Sequence, residues 1–300
     1  MMKKRRNLIL VAGLVALVAV GAAVAVGIAL GGDDDHKPRY PGRIAVRDGC
    51  GLVHFFQDGS DQKTLCLTDV WDAVSLSWNG KNLAWDTRAT GIRIADENAE
   101  SEFSLPVPQG ANFGPTLSPD GKRGASLHAA RDDGRYDIWV GDVDANNAEQ
   151  VTNTRNVSDV VWSPKGDWLA YVKDWSDETL EGQISLVRPD GDGDKTLVAG
   201  DTPEWAPDGK HIVYVHNGSI WTVGSDGKDA KRIIPNGHSP AWSRDGRAGE
   251  QVAFMRAERC DEPPCKEHVF LAFTNGTEVR QVGPAFAEER AVLWLRDPFE

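Results

Sequence analysis

The apolar positions of residues 43–297 fall in short runs rich in β-branched and aromatic side chains, cut by polar turns. Brevity and alternation within the runs predict β-strands. One phrase organises them. It reads Leu76-Ser77-Trp78-Asn79-Gly80-Lys81, then Leu117-Ser118-Pro119-Asp120-Gly121-Lys122 and Trp162-Ser163-Pro164-Lys165-Gly166-Asp167. Trp205-Ala206-Pro207-Asp208-Gly209-Lys210 and Trp242-Ser243-Arg244-Asp245-Gly246-Arg247 follow, and a decayed copy, Trp294-Leu295-Arg296-Asp297-Pro298-Phe299, closes the chain. The glycine-to-glycine intervals are 41, 45, 43 and 37 residues, with the last copy 52 further on. A repeat of this length, rich in short β-runs, is the signature of a propeller with one four-stranded blade per repeat.

The phrase has a mechanical meaning. A large apolar residue ends a buried strand, Pro presets φ, Asp bonds back to the local backbone and Gly supplies φ > 0. It is therefore a hairpin turn between the first and second strands of a blade. Second strands follow it at Leu83-Ala84-Trp85, Leu169-Ala170-Tyr171, Ile212-Val213-Tyr214 and Val252-Ala253-Phe254, all aliphatic, small, aromatic. The repeat holding Gly124-Ala125-Ser126 matches worst. Third strands are expected around Ile92, Ile138, Ile184, Ile220 and Val269, and fourth strands at Gln150-Val151-Thr152, Thr196-Leu197-Val198, Lys231–Ile234 and Val279–Val282.

The two ends complete each other. The sixth phrase has no second strand after it, and Ile44-Ala45-Val46 is a second strand with no phrase before it. Joining Ala291-Val292-Leu293-Trp294 to Ile44-Ala45-Val46 makes a composite blade and protects strand edges that would invite aggregation. The expected fold is all-β: a six-bladed β-propeller closed by its C-terminal strand. The phrase followed by an apolar strand resembles the repeat of TolB-like β-propellers, the propeller family of the bacterial Tol-Pal envelope system. The resemblance implies a six-bladed propeller with a protein-binding habit. TolB itself places an α/β domain before its propeller; here only residues 31–42 separate the first strand from a hydrophobic segment, which puts the Tol-Pal role in question.

That segment runs from Leu8 to Leu30 behind Lys3-Lys4-Arg5-Arg6. Its 23 residues match the roughly 20 of a spanning helix and exceed the roughly 7–15 of a secretory signal. The expected layout is a basic cytoplasmic flank (1–6), a transmembrane anchor or long signal segment (7–30), a linker (31–42) and the propeller (43–300). The basic flank stays inside and Asp33-Asp34-Asp35 faces out. Cleavage at the small residues Ala23-Val24-Ala25 or Ala29 is the other reading and would leave a secreted protein. Either way the propeller is extracytoplasmic. The formal charge is −12, of which the leader contributes +4, so the remainder carries −16. This argues against nucleic acid and anionic lipid surfaces, and permits a basic protein partner.

Export makes disulfides permissible, and Cys50, Cys66, Cys260 and Cys265 allow three pairings. Proximity favours Cys50–Cys66 and Cys260–Cys265. Asp190, Asp192 and Asp194, in Asp190-Gly191-Asp192-Gly193-Asp194, alternate like the start of a calcium loop. An EF-hand needs Gly sixth and Glu twelfth, where this chain has Lys195 and Asp201, so a polar hairpin is the simpler reading. Gly237-His238-Ser239-Pro240-Ala241 nearly spells a nucleophile elbow but runs into a strand instead of joining strand to helix. Ser243-Arg244-Asp245-Gly246 lacks the spacing of a sialidase Asp box. Asn217-Gly218-Ser219 and Asn275-Gly276-Thr277 fit glycosylation sequons and also tight turns, the preferred reading. With no complete catalytic motif, the chain is read as a non-enzyme without cofactor.

One surface stands out. Loops entering the first strands converge at a mouth of the central channel and carry Asp72, Asp159, Asp201, Glu204, His238 and Glu288. A ring of like charge focuses an attractive field for a cation or a basic segment. The function expected is a monomeric, membrane-anchored propeller binding a protein or peptide of the cell envelope. The alternatives are a lactonase- or glycosidase-like propeller enzyme, metal-dependent or not, and a structural or sensory ectodomain.

Overall fold

The computed structural model describes residues 43–48, 51–66, 70–77, 81–87, 91–96, 102–105, 108–130, 135–143, 145, 147–176, 181–244, 251–257, 266–286 and 292–295. The expected anchor or signal, residues 7–30, lies outside the described residues. No helix among the described residues is long and apolar enough to cross a membrane.

The fold is all-β and propeller-like. The first sheet holds β1 (Arg43–Asp48), β2 (Gly51–Phe56) and β3 (Lys63–Cys66). The second is β4 (Val70–Leu76), β5 (Asn82–Thr87), β6 (Gly91–Asp96) and β7 (Glu102–Ser104). The third is β8 (Ala111–Leu117), β9 (Arg123–Ala129), β10 (Asp137–Asp142) and β11 (Glu149–Gln150). A longer sheet follows, with β12 (Val157–Trp162), β13 (Leu169–Ser176), β14 (Glu181–Val187), β15 (Lys195–Trp205), β16 (His211–His216), β17 (Ser219–Gly224) and β18 (Lys231–Ile234). The last holds β19 (His238–Trp242), β20 (Gln251–Ala257), β21 (Glu267–Phe273) and β22 (Arg280–Phe286). Strand β23 (Val292–Leu295) returns to the first sheet, whose order is β23-β1-β2-β3. It pairs antiparallel with β1, Ile44 opposite Trp294 and Val46 opposite Val292.

The long sheet is two four-stranded units sharing one strand. The first half of β15 pairs with β14 and the second half with β16. No break separates the fourth strand of one unit from the first strand of the next. Two differences from the sequence expectation lie on outer strands. The strand expected at Gln150-Val151-Thr152 is only Glu149–Gln150, because Thr152 turns its hydroxyl to the Ile138 N–H instead of extending the ladder. The short strand Glu102–Ser104 had no apolar run to announce it.

The repeated phrase forms the turn between first and second strands. The Ser118 N–H donates to the Arg123 carbonyl and the Gly121 N–H to the Ser118 carbonyl, and the same pair recurs at Ser163/Trp168 with Gly166 and at Ala206/His211 with Gly209. Gly121, Gly166 and Gly209 have φ of 73°, 77° and 63°, which a side chain rarely tolerates. The serine is itself a structural part. Ser77, Ser118, Ser163 and Ser243 are buried, and the hydroxyls of the first three accept the N–H that opens the second strand. Ser118 in turn donates to Asp120, which holds that carboxyl below the usual carboxylate range. Where Ala206 replaces the serine, Asp208 accepts the Lys210 and His211 N–H groups and does the work alone.

Between successive units lie six clusters of buried apolar side chains among the described residues. The first sheet meets the second through Ala45, Leu52, Leu83 and Trp85, and the second meets the third through Ile92, Ile94 and Leu117. Trp162, Trp205 and Trp242, each the last residue of a first strand, fill the next three joints. The sixth cluster joins the last sheet back to the first through Ile44, Phe55, Met255, Leu271 and Phe286. Phe55 packs on Gly283, where a Cβ would stand 2.4 Å from its ring, and Arg280 Nη1 donates to the Gln57 carbonyl at 2.8 Å.

That joint can be tested. Gly283 and Gly218 both have positive φ, but a Cβ at Gly218 meets nothing within 4 Å. Gly283→Ala is expected to destabilise more than Gly218→Ala, the excess being the about 1–3 kcal/mol of overpacking. Urea unfolding of both variants measures it. Equal losses would mean that the last and first sheets do not meet on this contact.

Candidate functional site

The first strands of the units lie side by side around an axis. β4 lies beside β8, β8 beside β12, β12 beside β15, β15 beside β19, β19 beside β23 and β23 beside β4. The cavity they enclose is about 230 Å³ and takes residues from all six: among others Val74, Pro115, Asp159, Thr202, Glu204, Ser239 and Val292.

Five of the six junctions in this wall are bulged near the same height, while β23 pairs with β1 in unbroken register over its described residues. The register with the second strand shifts between Val70 and Val74, Phe113 and Thr116, Ser158 and Val160, Asp201 and Glu204, and His238 and Ala241. In four of these strands the backbone is left-handed three residues before the strand's final residue: Gly114 at 54°, Asp159 at 49°, Thr202 at 45° and Ser239 at 47°. A bulge bends the strand and re-aims its side chains. Left-handed non-glycine residues cost on the order of 1–3 kcal/mol each and gather where a site needs them. After three of them comes proline, at Pro115, Pro203 and Pro240. Proline has no N–H to lose, and the innermost strand offers the ladder-free edge where it is tolerated.

One end of the cavity is crossed by a charged side chain. Arg244 follows the end of β19, is 8% exposed, and stands 3.5 Å from Glu204 Oε1 with its Nη2. Its Nη1 donates to the Ser77 carbonyl, just past the end of β4, at 3.2 Å. It thus spans the end where the first strands finish. Burial pushes the Glu204 carboxyl up and the Arg244 guanidinium down, each opposed by the charge of the other.

The residues expected at the mouth do not form one uniform ring. Asp159 is exposed and lines the cavity. Asp201 is half-buried, and its Oδ1 accepts the Thr202 N–H at 2.7 Å. Glu204 sits lower in the wall against Arg244. His238 has its Nε2 3.1 Å from Glu267 Oε2 and its Nδ1 3.2 Å from Ser239 Oγ. The tautomer satisfying both donates from Nε2 and accepts the hydroxyl at Nδ1. Asp72 lies on β4 with its side chain outside the described residues, and Glu288 lies outside them too. Of the expected acidic residues, Asp159 and Glu204 line the cavity, and Asp201 does not. The residue that sequence reasoning missed is Arg244; its place in the phrase, where three other copies carry proline and one tryptophan, was the available signal.

Asp190, Asp192 and Asp194 fall in the turn between β14 and β15. Asp190 accepts the Asp192 N–H at 3.0 Å, while Asp194 turns to the Tyr171 hydroxyl at 2.8 Å and to Lys173. Among the described residues no three His, Cys, Asp or Glu side chains are grouped to hold a metal. Asn217 and Asn275 begin tight turns, the latter accepting the Thr277 N–H and hydroxyl. Cys66 ends β3 opposite Gly51; Cys50, Cys260 and Cys265 lie outside the described residues.

Comparison with known proteins agrees with this architecture. Residues 119–176 match the family model of the dipeptidyl peptidase IV N-terminal region. The uncharacterised Agrobacterium fabrum protein Atu1656 is 29% identical over 140 residues, 41% of this chain and 46% of that protein. The crystal structure of TolB from Acinetobacter baumannii superposes with a TM-score of 0.66 at 20% identity, covering 85% of this chain and 66% of that one. A putative TolB from Agrobacterium tumefaciens gives 0.60 at 18% identity, covering 86% and 99%. An oligogalacturonate lyase in complex with manganese gives 0.55 at 13% identity, covering 77% and 70%. The chain has the TolB-like β-propeller fold. It spans about half the length of the curated relative it matches.

The Glu204–Arg244 pair yields a prediction. Arg244→Met strands a buried carboxylate and is expected to cost about 3–5 kcal/mol, whereas Glu204→Met with Arg244→Met recovers most of it. Burial already raises the Glu204 carboxyl above the ordinary 4.5 with Arg244 beside it, and removing the opposing guanidinium is expected to raise it further. The folded chain therefore keeps its proton longer than the unfolded chain. Stability is fully present below the ordinary value and falls as pH rises through the raised one. Unfolding midpoints of Arg244→Met against pH should show that fall, and the double variant should lack it. A flat profile in the single variant would mean that Glu204 reaches water.

Proposed function

We propose that the chain is an exported, membrane-anchored, six-bladed propeller that binds a protein or peptide segment of the cell envelope at the mouth of its central channel. The observation that carries this reading is the asymmetry of the cavity. Arg244 crosses one end, and Asp159, Thr202 and Ser239 are presented toward the other on strained backbone. A recess crossed at its far end suits a docked side chain better than a passing substrate. The excess of acid over base makes a basic segment the favoured occupant. The TolB-like fold supports a platform reading, since a propeller supplies a rigid surface and its chemistry must come from added groups.

The remaining parts of the proposal concern the chain's setting. Residues 1–6 stay inside, 7–30 span the membrane, 31–42 link and 43–300 form the propeller. Cys50–Cys66 closes the first hairpin, a pairing supported by the ladder that sets Gly51, the neighbour of Cys50, opposite Cys66. Cys260–Cys265 closes the loop after β20. The full-length chain is expected to stay with membranes after a high-salt wash; a soluble form beginning after residue 25 or 29 would replace the anchor with a cleaved signal.

The binding reading is tested on a partner captured by crosslinking in intact cells. Association with the wild-type chain and with Asp159→Asn/Asp201→Asn is followed at two salt concentrations. The variant should associate several-fold more slowly at low salt, with the gap closing as screening shortens to about 8 Å at physiological ionic strength. Equal rates at low salt would place the partner elsewhere.

A further inference from the structure

The direction of β1 fixes where the chain joins the propeller. Arg43, its first residue, stands opposite Leu295, the last residue of β23. First strands finish at the end that Arg244 crosses, so Arg43 lies at the crossed end and Asp48 at the open one. The entry point is pinned there. Arg43 is buried, its Nη1 donates to the Asp61 carbonyl at 3.0 Å, and its Nη2 pairs with the Asp61 carboxylate. Its guanidinium lies 4.0 Å over the Phe56 ring. Phe56 ends β2 and Asp61 precedes β3, so the hairpin that grips Arg43 is at the same end. The chain thus enters at a fixed place on the crossed face, on the second strand out from the axis.

The length of chain before Arg43 limits how the propeller can stand over an anchor. Residues 31–42 are 12 in number, and a chain of that length spans at most about 40 Å. With the crossed end toward the bilayer, the linker runs straight from the anchor to Arg43. With the mouth toward the bilayer, it would first have to pass outward over β2 and β3 and then along the height of the sheet. Two strand spacings and a strand the length of β1 make that detour roughly 30 Å. Little chain would be left to reach the anchor, and a nearly taut linker forfeits most of its conformational freedom. The short linker therefore favours one orientation over the other.

We propose that the tether holds the end crossed by Arg244 toward the membrane and presents the open mouth of the channel away from it. The basic segment proposed for the mouth then belongs to a protein that approaches from the far side, in the extracytoplasmic space. The stretch of a neighbouring membrane protein next to the bilayer would meet the crossed end instead. This orientation rests on the anchor proposed for residues 7–30, and the two can fail separately.

Energy transfer on vesicles tests this with the full-length chain. Asn156 and Lys165 are exposed and stand just before and just after β12, one at the mouth and one at the crossed end. Asn156→Cys and Lys165→Cys are each labelled with a donor dye and reconstituted into vesicles that carry an acceptor dye on their lipid headgroups. The wild-type chain taken through the same labelling measures any dye on native thiols. Lys165→Cys should transfer more strongly than Asn156→Cys, by the difference between positions at least roughly 20 Å apart, the length of a six-residue strand. Equal transfer, or stronger transfer from Asn156→Cys, on vesicles that hold the chain would overturn the orientation and leave the anchor standing. A chain that does not co-float with the vesicles would remove the anchor, and the orientation with it.

Discussion

A twisted four-stranded sheet with apolar side chains on both faces cannot be stable alone, because each face must be covered by another layer. In this chain every unit covers its neighbours. Ile184 and Leu186 of one unit meet Trp205 and Ile212 of the next, and Ile220 and Ile234 of that one meet Trp242 and Phe254 of the one after. The rule would leave bare faces at the two ends of the series, and the contact of Phe55 with the last sheet is what removes them. The β23–β1 pairing and the Arg280–Gln57 bond follow from that demand. They hold in place the sheets whose stacking buries the apolar surface.

The same demand explains what could be read from residues alone. Strand order, the phrase as a turn and the joining of the ends are visible because period-2 burial and φ > 0 glycines leave direct marks on residue type. Leu169-Ala170-Tyr171 is a second strand in the sequence and in the structure, with all three side chains buried. What was hidden depends on partners far along the chain. Nothing near Arg244 says that it will reach Ser77, 167 positions away. Glu204 reads as one more acidic loop residue until Arg244 is beside it. The continuity of β15 through two units was hidden for another reason: Gly200 and Asp201 look like a turn, and the backbone passes through them extended enough to keep both ladders.

The phrase itself carries two tasks that pull on the same residues. Its serine closes the turn through a hydroxyl, and the residue two beyond the terminal apolar side chain reaches the channel end at Arg244. A turn tolerates that exchange because its hydrogen bonds run through the serine and the backbone: the Ser243 N–H still donates to Gln251 across the Arg244 turn. Repetition therefore leaves single positions free to differ from unit to unit without loss of the fold. The third sheet uses the same freedom at its rim, where Asp137 gathers the Thr152–Arg155 loop.

The bulges show how a uniform frame becomes a specific lining. Innermost strands with perfect pairing would show the axis a plain alternation of side chains. A left-handed residue at one height re-aims Asp159, Thr202 and Ser239, and the valine or proline that follows keeps the next layer apolar. The strain, on the order of 1–3 kcal/mol for each such residue, is sustained by the packed sheets behind it. Large buried side chains at Trp162 and Trp205 stand directly after the bulged segments and hold them in place. Rigidity bought in the joints between sheets is thus spent at the axis, where the polar groups are held at fixed positions before any partner arrives. Under the proposed binding function a docked segment would find fewer groups left to order, and preorganisation of this kind favours affinity without enlarging the contact.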